Sequence, residues 1–248
     1  MAVIPTTRGR RGASWTLITP DNHYVSRLPG LRGATLVKLV TPRLAGARFA
    51  QYLIDLAPGG ALDGAETKHE HFLYVLDGAT SSPGNALSTG SFAYYPPGDP
   101  PALETADGAR LLWIQRPYES LPSYAAPTRV CGHRDDAAFE QLAVPGLRRR
   151  ELLSPADPAF DFAMSLLRFS PGAALDRVEI HDEEHGLYII HGAGRYLLDR
   201  DELDVRTGDF IYMGPYCPQS FAAHEASGAE YLLYKDAFRV GFAAETAS

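Results

Sequence analysis

The chain repeats itself at a long interval, and this repeat constrains the fold more than any other feature of the sequence. Three pairs of segments resemble each other at offsets of 113, 114 and 118 residues: LAPGGALDG (56–64) and FSPGAALDR (169–177), HFLYVLDG (71–78) and HGLYIIHG (185–192), and GSFAYYPPG (90–98) and GDFIYMGPY (208–216). A repeat of this length indicates a duplicated domain rather than a solenoid unit. The 248 residues leave room for two domains of about 110 residues, each able to bury a core.

Short apolar runs rich in Val, Ile, Tyr, Phe and Leu alternate with Gly, Pro, Asp and Ser along the whole chain. Many short strands at even spacing are typical of an all-β sandwich or barrel. Residues 120–139 lack strand periodicity, so a linker is expected around them. The sequence thus predicts an N-terminal arm and first strand at 1–30, a first barrel at 31–120, a linker at 121–160 and a second barrel at 161–248.

Composition limits the partners of this chain. The net charge of -7 and pI near 5.6 argue against nucleic acid or an anionic membrane as the main partner. No apolar run approaches the 18 residues of a membrane span, and no apolar segment follows the basic N-terminus as in a secretory signal. Cys131 and Cys217 form no C-x-x-C pair, so neither a disulfide framework nor a zinc site is indicated, and a cytoplasmic location is expected.

One short segment carries a set of potential metal ligands. In VEIHDEEHGLYIIHG (178–192), Glu179 and His181 face the same way in an extended strand, and His185 joins them if residues 182–184 form a tight bend. A carboxylate and two imidazoles facing a barrel interior need a partner, and a divalent metal satisfies all three. The alternative is that the two histidines are surface residues beside a charged loop. The spacing, the strand context and the following glycine turn favour the metal.

The same segment and a second one resemble a known family. E-x-H-x-x-x-H, followed by a strand, a Gly-Pro turn and Gln219 in GDFIYMGPYCPQ (208–219), resembles the two-motif arrangement of the cupin superfamily, and its duplication resembles the bicupins. EIHDEEHGLYIIHGAGRYLLD (179–199) and YLLYKD (231–236) are similar to the (S)-ureidoglycine aminohydrolase family, and the similarity covers nearly the whole chain. The fold that this resemblance implies is two tandem cupin barrels of the jelly-roll type.

The resemblance also implies an activity and a site. A manganese ion would be held by Glu179, His181, His185 and Gln219. The substrate, a small anionic ureido acid, would contact Glu179, Gln219, Tyr231 and Lys235. Lys235 and Glu179 are the candidate catalytic residues, with the division of work between them left open. The reaction replaces the amino group of (S)-2-ureidoglycine by a hydroxyl group, releasing ammonia and (S)-ureidoglycolate, and a homo-oligomer is expected.

The residue types support part of this assignment independently. Oxygen and nitrogen ligands from Glu, Gln and two His form a harder set than a zinc-type set, and they suit Mn(II) or Fe(II). Tyr231 and Lys235 share parity in a short apolar strand, so they point the same way. A lysine in a barrel interior is costly unless it meets an anion such as a substrate carboxylate. The alternative for Lys235 is a solvated strand end.

The first half of the chain retains little of this ligand set. When the repeats are aligned, only His71 is kept, and the other three ligand positions hold Ala65, Thr67 and Pro101. The first barrel is therefore expected to be metal-free and to act as scaffold and subunit contact. A weaker second site involving His69 and His71 is the alternative.

Other functions and residues stay open. A cupin Fe(II) dioxygenase would consume oxygen, and a non-catalytic bicupin would bind a small acid without turning it over, whereas an aminohydrolase would release ammonia. Tyr196 either packs in the barrel or faces the substrate, and packing is favoured. Cys217 is interpreted as a small buried side chain rather than a nucleophile, because no basic partner is fixed beside it.

Overall fold

The computed structural model describes residues 4–44, 46–121 and 124–237 of the chain. Within these ranges the secondary structure is almost entirely β, and the only helical element is a 3-10 turn at Pro20–Asn22. The predicted all-β class is therefore confirmed. A search of the same residues for a helix long and apolar enough to cross a membrane finds none.

The strands of the described residues are β1 (Arg10–Arg11), β2 (Trp15–Ile18), β3 (Val25–Ser26), β4 (Leu31–Val40), β5 (Ala50–Leu62), β6 (His69–Ser82), β7 (Asn85–Ser88), β8 (Ser91–Tyr95), β9 (Leu103–Glu104), β10 (Ala109–Pro117), β11 (Val130–His133), β12 (Glu140–Gln141), β13 (Leu147–Leu153), β14 (Phe162–Phe169), β15 (His185–Leu198), β16 (Asp201–Arg206), β17 (Phe210–Met213), β18 (Gln219–Ala223) and β19 (Ala229–Asp236).

The described chain forms two compact units. The C-terminal barrel consists of residues 4–23, 139–151 and 164–236. The N-terminal barrel consists of the described residues among 24–138 together with 152–163 and 237. The long antiparallel strands β5, β6 and β10 form the centre of the N-terminal barrel, and β15, β17 and β19 that of the C-terminal barrel. The predicted two-barrel architecture is confirmed.

The division of the chain differs from the predicted boundaries in two places. The segment expected as a separate arm at 1–30 contributes β1 and β2 to the C-terminal barrel, where β2 pairs with β17. The expected linker at 121–160 contains three strands, of which β11 pairs with β8 and the other two join the sheet of β15. Strand β12 exposes both of its residues, and β11 fully buries none of its residues, so these strands lack the apolar alternation that reveals a strand in a sequence.

Alternate residues of the long strands fill each interior. Leu187 and Ile189 of β15 belong to the core of the C-terminal barrel, and Leu73 and Val75 of β6 belong to that of the N-terminal barrel. This period of two follows from the pleat of an extended strand, which points successive side chains to opposite faces.

The strand register confirms the alignment of the two repeats. His71 lies opposite Gln115 on β10, and His185 lies opposite Lys235 on β19. His185 is the first residue of β15 and His71 the third residue of β6, so each histidine lies near the start of the equivalent strand of its barrel, and Gln115 takes the place of Lys235 in the N-terminal barrel. The two halves share a backbone plan but differ in the side chains around this position.

Gly78 and Gly192 explain why the repeats share a glycine after the apolar run. Instead of ending the strand in a turn, each lies within a 14-residue strand beside a register shift. Both have a left-handed φ, +77° and +81°, as expected for a glycine at a β-bulge. A Cβ on Gly192 would lie 2.1 Å from the carbonyl oxygen of Gly228, so this position excludes any side chain.

Replacement of Gly192 by alanine is expected to destabilise the C-terminal barrel. An alanine in the left-handed conformation costs about 1–2 kcal/mol, and the loss should exceed this value because the new Cβ also clashes with the backbone of Gly228. Gly172→Ala is the matched control, since Gly172 also has a left-handed φ but its Cβ would meet nothing closer than 3.7 Å. Chemical denaturation of both variants measures the difference. Equal destabilisation would show that the close approach to Gly228 has no energetic consequence.

Candidate metal and substrate site

Two segments of the C-terminal barrel are joined at the mouth of the candidate site. The backbone amides of Glu179 and Gln219 each donate to the other residue's carbonyl oxygen, at 2.8 and 3.0 Å. The amide of Tyr216 donates to the carbonyl oxygen of His181 at 2.8 Å. These bonds align the segment that carries Glu179 and His181 with the segment that leads to Gln219. The first segment is not part of a continuous strand with β15, so strand parity alone does not determine how its side chains point.

The structure brings His181, His185 and Gln219 together. The centroids of the two imidazole rings lie 4.5 Å apart, and Nε2 of Gln219 lies 3.0 Å from Nε2 of His181. The hydroxyl group of Tyr196 donates to Oε1 of Gln219 at 3.3 Å. Tyr196 is buried within the core, as the packing prediction requires, and it also contacts a candidate ligand.

His185 is held in its neutral form. The side chain is buried, and burial, followed by the nearby charges of His181 and Lys235, lowers the pKa of its imidazole well below the ordinary value. Its Nδ1 atom is buried and has no hydrogen-bond partner among the described residues. A neutral imidazole with an unsatisfied buried nitrogen is suited to binding a metal, since metal ligation requires the unprotonated ring.

Glu183 links His181 to Lys235. Its Oε1 atom lies 3.0 Å from Nζ of Lys235, and its Oε2 atom lies 3.2 Å from Nδ1 of His181. Burial alone raises the pKa of the Glu183 carboxyl group, but the hydrogen bond from Lys235 and the positive charges nearby outweigh it and lower that pKa. In the sequence Glu183 is only one residue of an acidic bend, and spacing does not reveal which side chain the bend turns inward.

Tyr231 is buried, whereas Lys235 on the same strand is partly exposed. Tyr231 is 3% exposed and packs in the core, and the side chain of Lys235 is 37% exposed. Burial, then the neighbouring Tyr196 and Glu179, raises the pKa of the Tyr231 hydroxyl group well above the ordinary value. Tyr231 is therefore a neutral hydrogen-bond donor. The negative charge of Glu179 is close enough to affect both tyrosines.

The donor set fits a divalent metal in part. His181, His185 and Gln219 present two imidazoles and an amide, which suit Mn(II) or Fe(II), and His185 has the orphaned nitrogen described above. Glu179 is exposed, and no three His, Cys, Asp or Glu side chains among residues 4–44, 46–121 and 124–237 are grouped so as to hold a metal. The structure thus brings three of the four predicted ligands together, with Oε1 of Gln219 accepting from Tyr196 and its Nε2 facing His181, and leaves the Glu179 carboxylate at the edge.

His71, the one ligand type kept in the N-terminal barrel, is occupied by other contacts. Nε1 of Trp113 donates to Nδ1 of His71 at 3.2 Å, and Nε2 of His71 lies 2.9 Å from the carbonyl oxygen of Glu66. The ring also stacks on Trp113, with centroids 5.8 Å apart. Burial lowers the pKa of His71 to about 4. Because both nitrogens are bonded, His71 offers no free lone pair for a second metal site with His69.

Cys217 is a buried packing residue, as predicted. It is 2% exposed and belongs to the core of the C-terminal barrel. Burial raises the pKa of its thiol, which disfavours the reactive thiolate form.

Two antiparallel barrels with a histidine-rich site at the start of β15 define a protein of the bicupin type. The family model for the AraC-like ligand binding domain matches residues 168–242. The (S)-ureidoglycine aminohydrolase of Arabidopsis thaliana is 34% identical over 230 residues, covering 90% of this chain and 76% of that protein. The (S)-ureidoglycine aminohydrolase of Escherichia coli strain K12 is 32% identical over 241 residues, covering 91% and 89%. This chain belongs to the (S)-ureidoglycine aminohydrolase family.

A solved structure is similar to this chain over almost its full length. The crystal structure of the protein Ylba from E. coli has a TM-score of 0.80 to this chain at 31% identity, covering 93% of this chain and 94% of that chain. The similarity to that protein therefore extends over both barrels of this chain and is not confined to the segment that the family model matches.

Proposed function

We propose that this protein is an (S)-ureidoglycine aminohydrolase, which converts (S)-2-ureidoglycine and water to (S)-ureidoglycolate and ammonia. The observation that carries the proposal is the convergence of His181, His185 and Gln219 beside Lys235 in a member of this family. In the reaction the C–N bond to the amino group breaks and a C–O bond from water forms at the same carbon. The substrate is a small anion, and Lys235 is the positive charge at the edge of the site.

The side chains of the chain divide the work as follows. Lys235 Nζ binds the substrate carboxylate and, with Glu179, is the candidate for proton transfer as ammonia departs. Tyr231 stays protonated and can donate a hydrogen bond to the substrate. A manganese ion held by Glu179, His181, His185 and Gln219, with iron(II) as the alternative, would supply Lewis acidity and a chelating template.

Two further properties belong to the same proposal. A cytoplasmic location is supported by the free state of Cys131 and Cys217, since unpaired thiols are the usual state in a reducing compartment. A homo-oligomer with the N-terminal barrel as subunit contact is the second property. Light scattering of the purified protein measures the oligomeric state directly.

Ammonia release from freshly made ureidoglycine tests the function. The substrate is generated from allantoate by a coupled allantoate amidohydrolase, and ammonia is measured with and without this protein, together with chiral analysis of the ureidoglycolate and oxygen uptake. We expect additional ammonia, the (S) product and no oxygen consumption. Ammonia no higher than the coupling enzyme produces would refute the proposed activity, and oxygen uptake would indicate a dioxygenase instead.

Lys235→Ala is expected to lower kcat/KM by about 10–100-fold, because a hydrogen bond to a charged group contributes about 1.5–3 kcal/mol. Lys68→Ala is the control, since Lys68 is an exposed lysine of the N-terminal barrel. Steady-state kinetics at saturating Mn²⁺ measure both variants. Full turnover by Lys235→Ala with metal bound would remove Lys235 from the mechanism.

A further inference from the structure

Glu183 lies between a proposed metal ligand, His181, and the proposed substrate-binding residue Lys235. It belongs to the acidic bend Asp182–Glu184 that precedes β15, and its side chain is only 25% exposed. Its two oxygens have different partners, Nζ of Lys235 at 3.0 Å and Nδ1 of His181 at 3.2 Å. The contact with Lys235 is a close ion pair. The contact with His181 is electrostatic rather than an aligned hydrogen bond, because Nδ1 has no partner that meets the geometric requirements of a hydrogen bond.

The other side of the His181 ring indicates which nitrogen carries the proton. Oε1 of Gln219 accepts from Tyr196, so the Nε2 amide group of Gln219 is the donor that faces Nε2 of His181 at 3.0 Å. Nε2 of His181 is then the acceptor, and in a neutral imidazole the proton is on Nδ1. Nδ1 is the atom that faces the carboxylate of Glu183. The lone pair of Nε2 is therefore directed to the side of the ring where Gln219 and His185 lie.

Comparison of the two repeats shows that the barrel fold does not require the pair of Glu183 and Lys235. With the offset of 114 residues that relates His71 to His185, Glu183 corresponds to His69, and strand register makes Gln115 the counterpart of Lys235. The N-terminal barrel thus folds with neither the carboxylate nor the ammonium group. Among the described residues, the equivalent positions of the N-terminal barrel hold no such pair, and in the C-terminal barrel the pair of Glu183 and Lys235 lies beside the proposed ligand His181.

We propose that Glu183 is a positioning residue, whose carboxylate, itself fixed by Lys235, holds the His181 imidazole with its Nε2 lone pair directed into the site. A carboxylate behind a metal-binding histidine fixes the ring and its tautomer and strengthens the ligand. This inference rests on the metal site of the proposed function. It concerns Glu183, which is not one of the four proposed ligands.

Metal affinity of the unloaded protein tests this role without reference to activity. Glu183→Gln keeps the size of the side chain but removes its charge, and it is expected to weaken Mn²⁺ binding by about 10–100-fold, measured by calorimetric titration. Glu183→Asp, which keeps the charge on a shorter side chain, is expected to give an intermediate Kd. Asp182→Asn is the matched control, because Asp182 is an exposed carboxylate of the same bend, and its Kd should equal that of the unmodified protein.

The outcomes distinguish this inference from the proposed activity. Thermal unfolding of the metal-free variants should be unchanged, so that a weaker Kd is not a result of misfolding. Equal Mn²⁺ affinity of Glu183→Gln and the unmodified protein overturns the positioning role, whatever the activity. An unmodified protein that binds no Mn²⁺ overturns it as well. If the unmodified protein binds Mn²⁺ but releases no ammonia, the proposed activity fails while the dependence of Kd on Glu183 is still measured.

Discussion

His185→Ala is expected to abolish tight Mn²⁺ binding and to reduce ammonia release from ureidoglycine by at least about 100-fold, since a catalytic metal stabilises the transition state by several kcal/mol. His185 is the best-placed of the proposed ligands. It opens β15 opposite Lys235, it is 4% exposed, and its buried Nδ1 atom has no other hydrogen-bond partner in the described part of the chain.

His191→Ala is the control for this experiment. His191 lies on the same strand as His185, but its side chain is exposed, so its removal should change neither metal content nor turnover. Metal content by elemental analysis and kinetics at saturating Mn²⁺ measure both variants. An His185→Ala protein that retains stoichiometric metal would show that the ion is held elsewhere and would contradict the site.

The repeat made the fold predictable, because it preserves residue types that the backbone conformation requires at equivalent positions. Gly78 and Gly192 have left-handed φ values at equivalent bulges, and only glycine suits such a position, so the pattern is visible without a structure. The equivalence of His71 and His185 followed from the same alignment and is confirmed by strand register.

Features that depend on distant pairing were not predictable in the same way. The association of β2 with β17 joins residues about 195 positions apart, as Leu17 pairs with Ile211, and nothing local to β2 specifies its partner. The contact of Glu183 with Lys235 has the same origin. A bend of three successive acidic residues, Asp182–Glu184, gives no sign of which carboxylate turns towards β19, since that depends on the packed barrel.

The buried charges of the N-terminal barrel are another feature without a sequence signal. Arg116 is 2% exposed, and Glu70 and Asp161 are 0% and 1% exposed. The guanidinium group lies 3.8 Å from a carboxylate oxygen of Glu70 and 3.7 Å from one of Asp161, and the hydroxyl group of Tyr94 donates to the other oxygen of Glu70 at 2.7 Å. One cation therefore lies beside two buried carboxyl groups.

Arg116→Met is expected to destabilise the protein by about 3–5 kcal/mol, because removing one partner of a buried ion pair leaves uncompensated charge in the interior. Arg110→Met is the matched control on the same strand β10. The ion pair of Arg110 with Asp55 has side chains that are 52% and 44% exposed, and an exposed pair contributes only about 0–1 kcal/mol. Denaturant unfolding of both variants measures the difference, and similar losses would contradict the assigned role of Arg116.

The loss caused by Arg116→Met should grow as the pH rises. Burial, and then the neighbouring Asp161, already raises the pKa of Glu70 well above its ordinary value near 4.5, while Arg116 opposes that shift. Without Arg116 the pKa of Glu70 rises further, so the folded variant holds a proton that the unfolded chain has released. Stability falls with pH wherever the folded state binds more protons than the unfolded state. Because Glu70 of the unmodified protein also keeps its proton up to a raised pKa, the variant loses stability relative to the unmodified protein as the pH rises above that raised pKa. Unfolding measured at about pH 5 and about pH 8 tests this, and a pH-independent difference would mean that Glu70 is not the group left uncompensated.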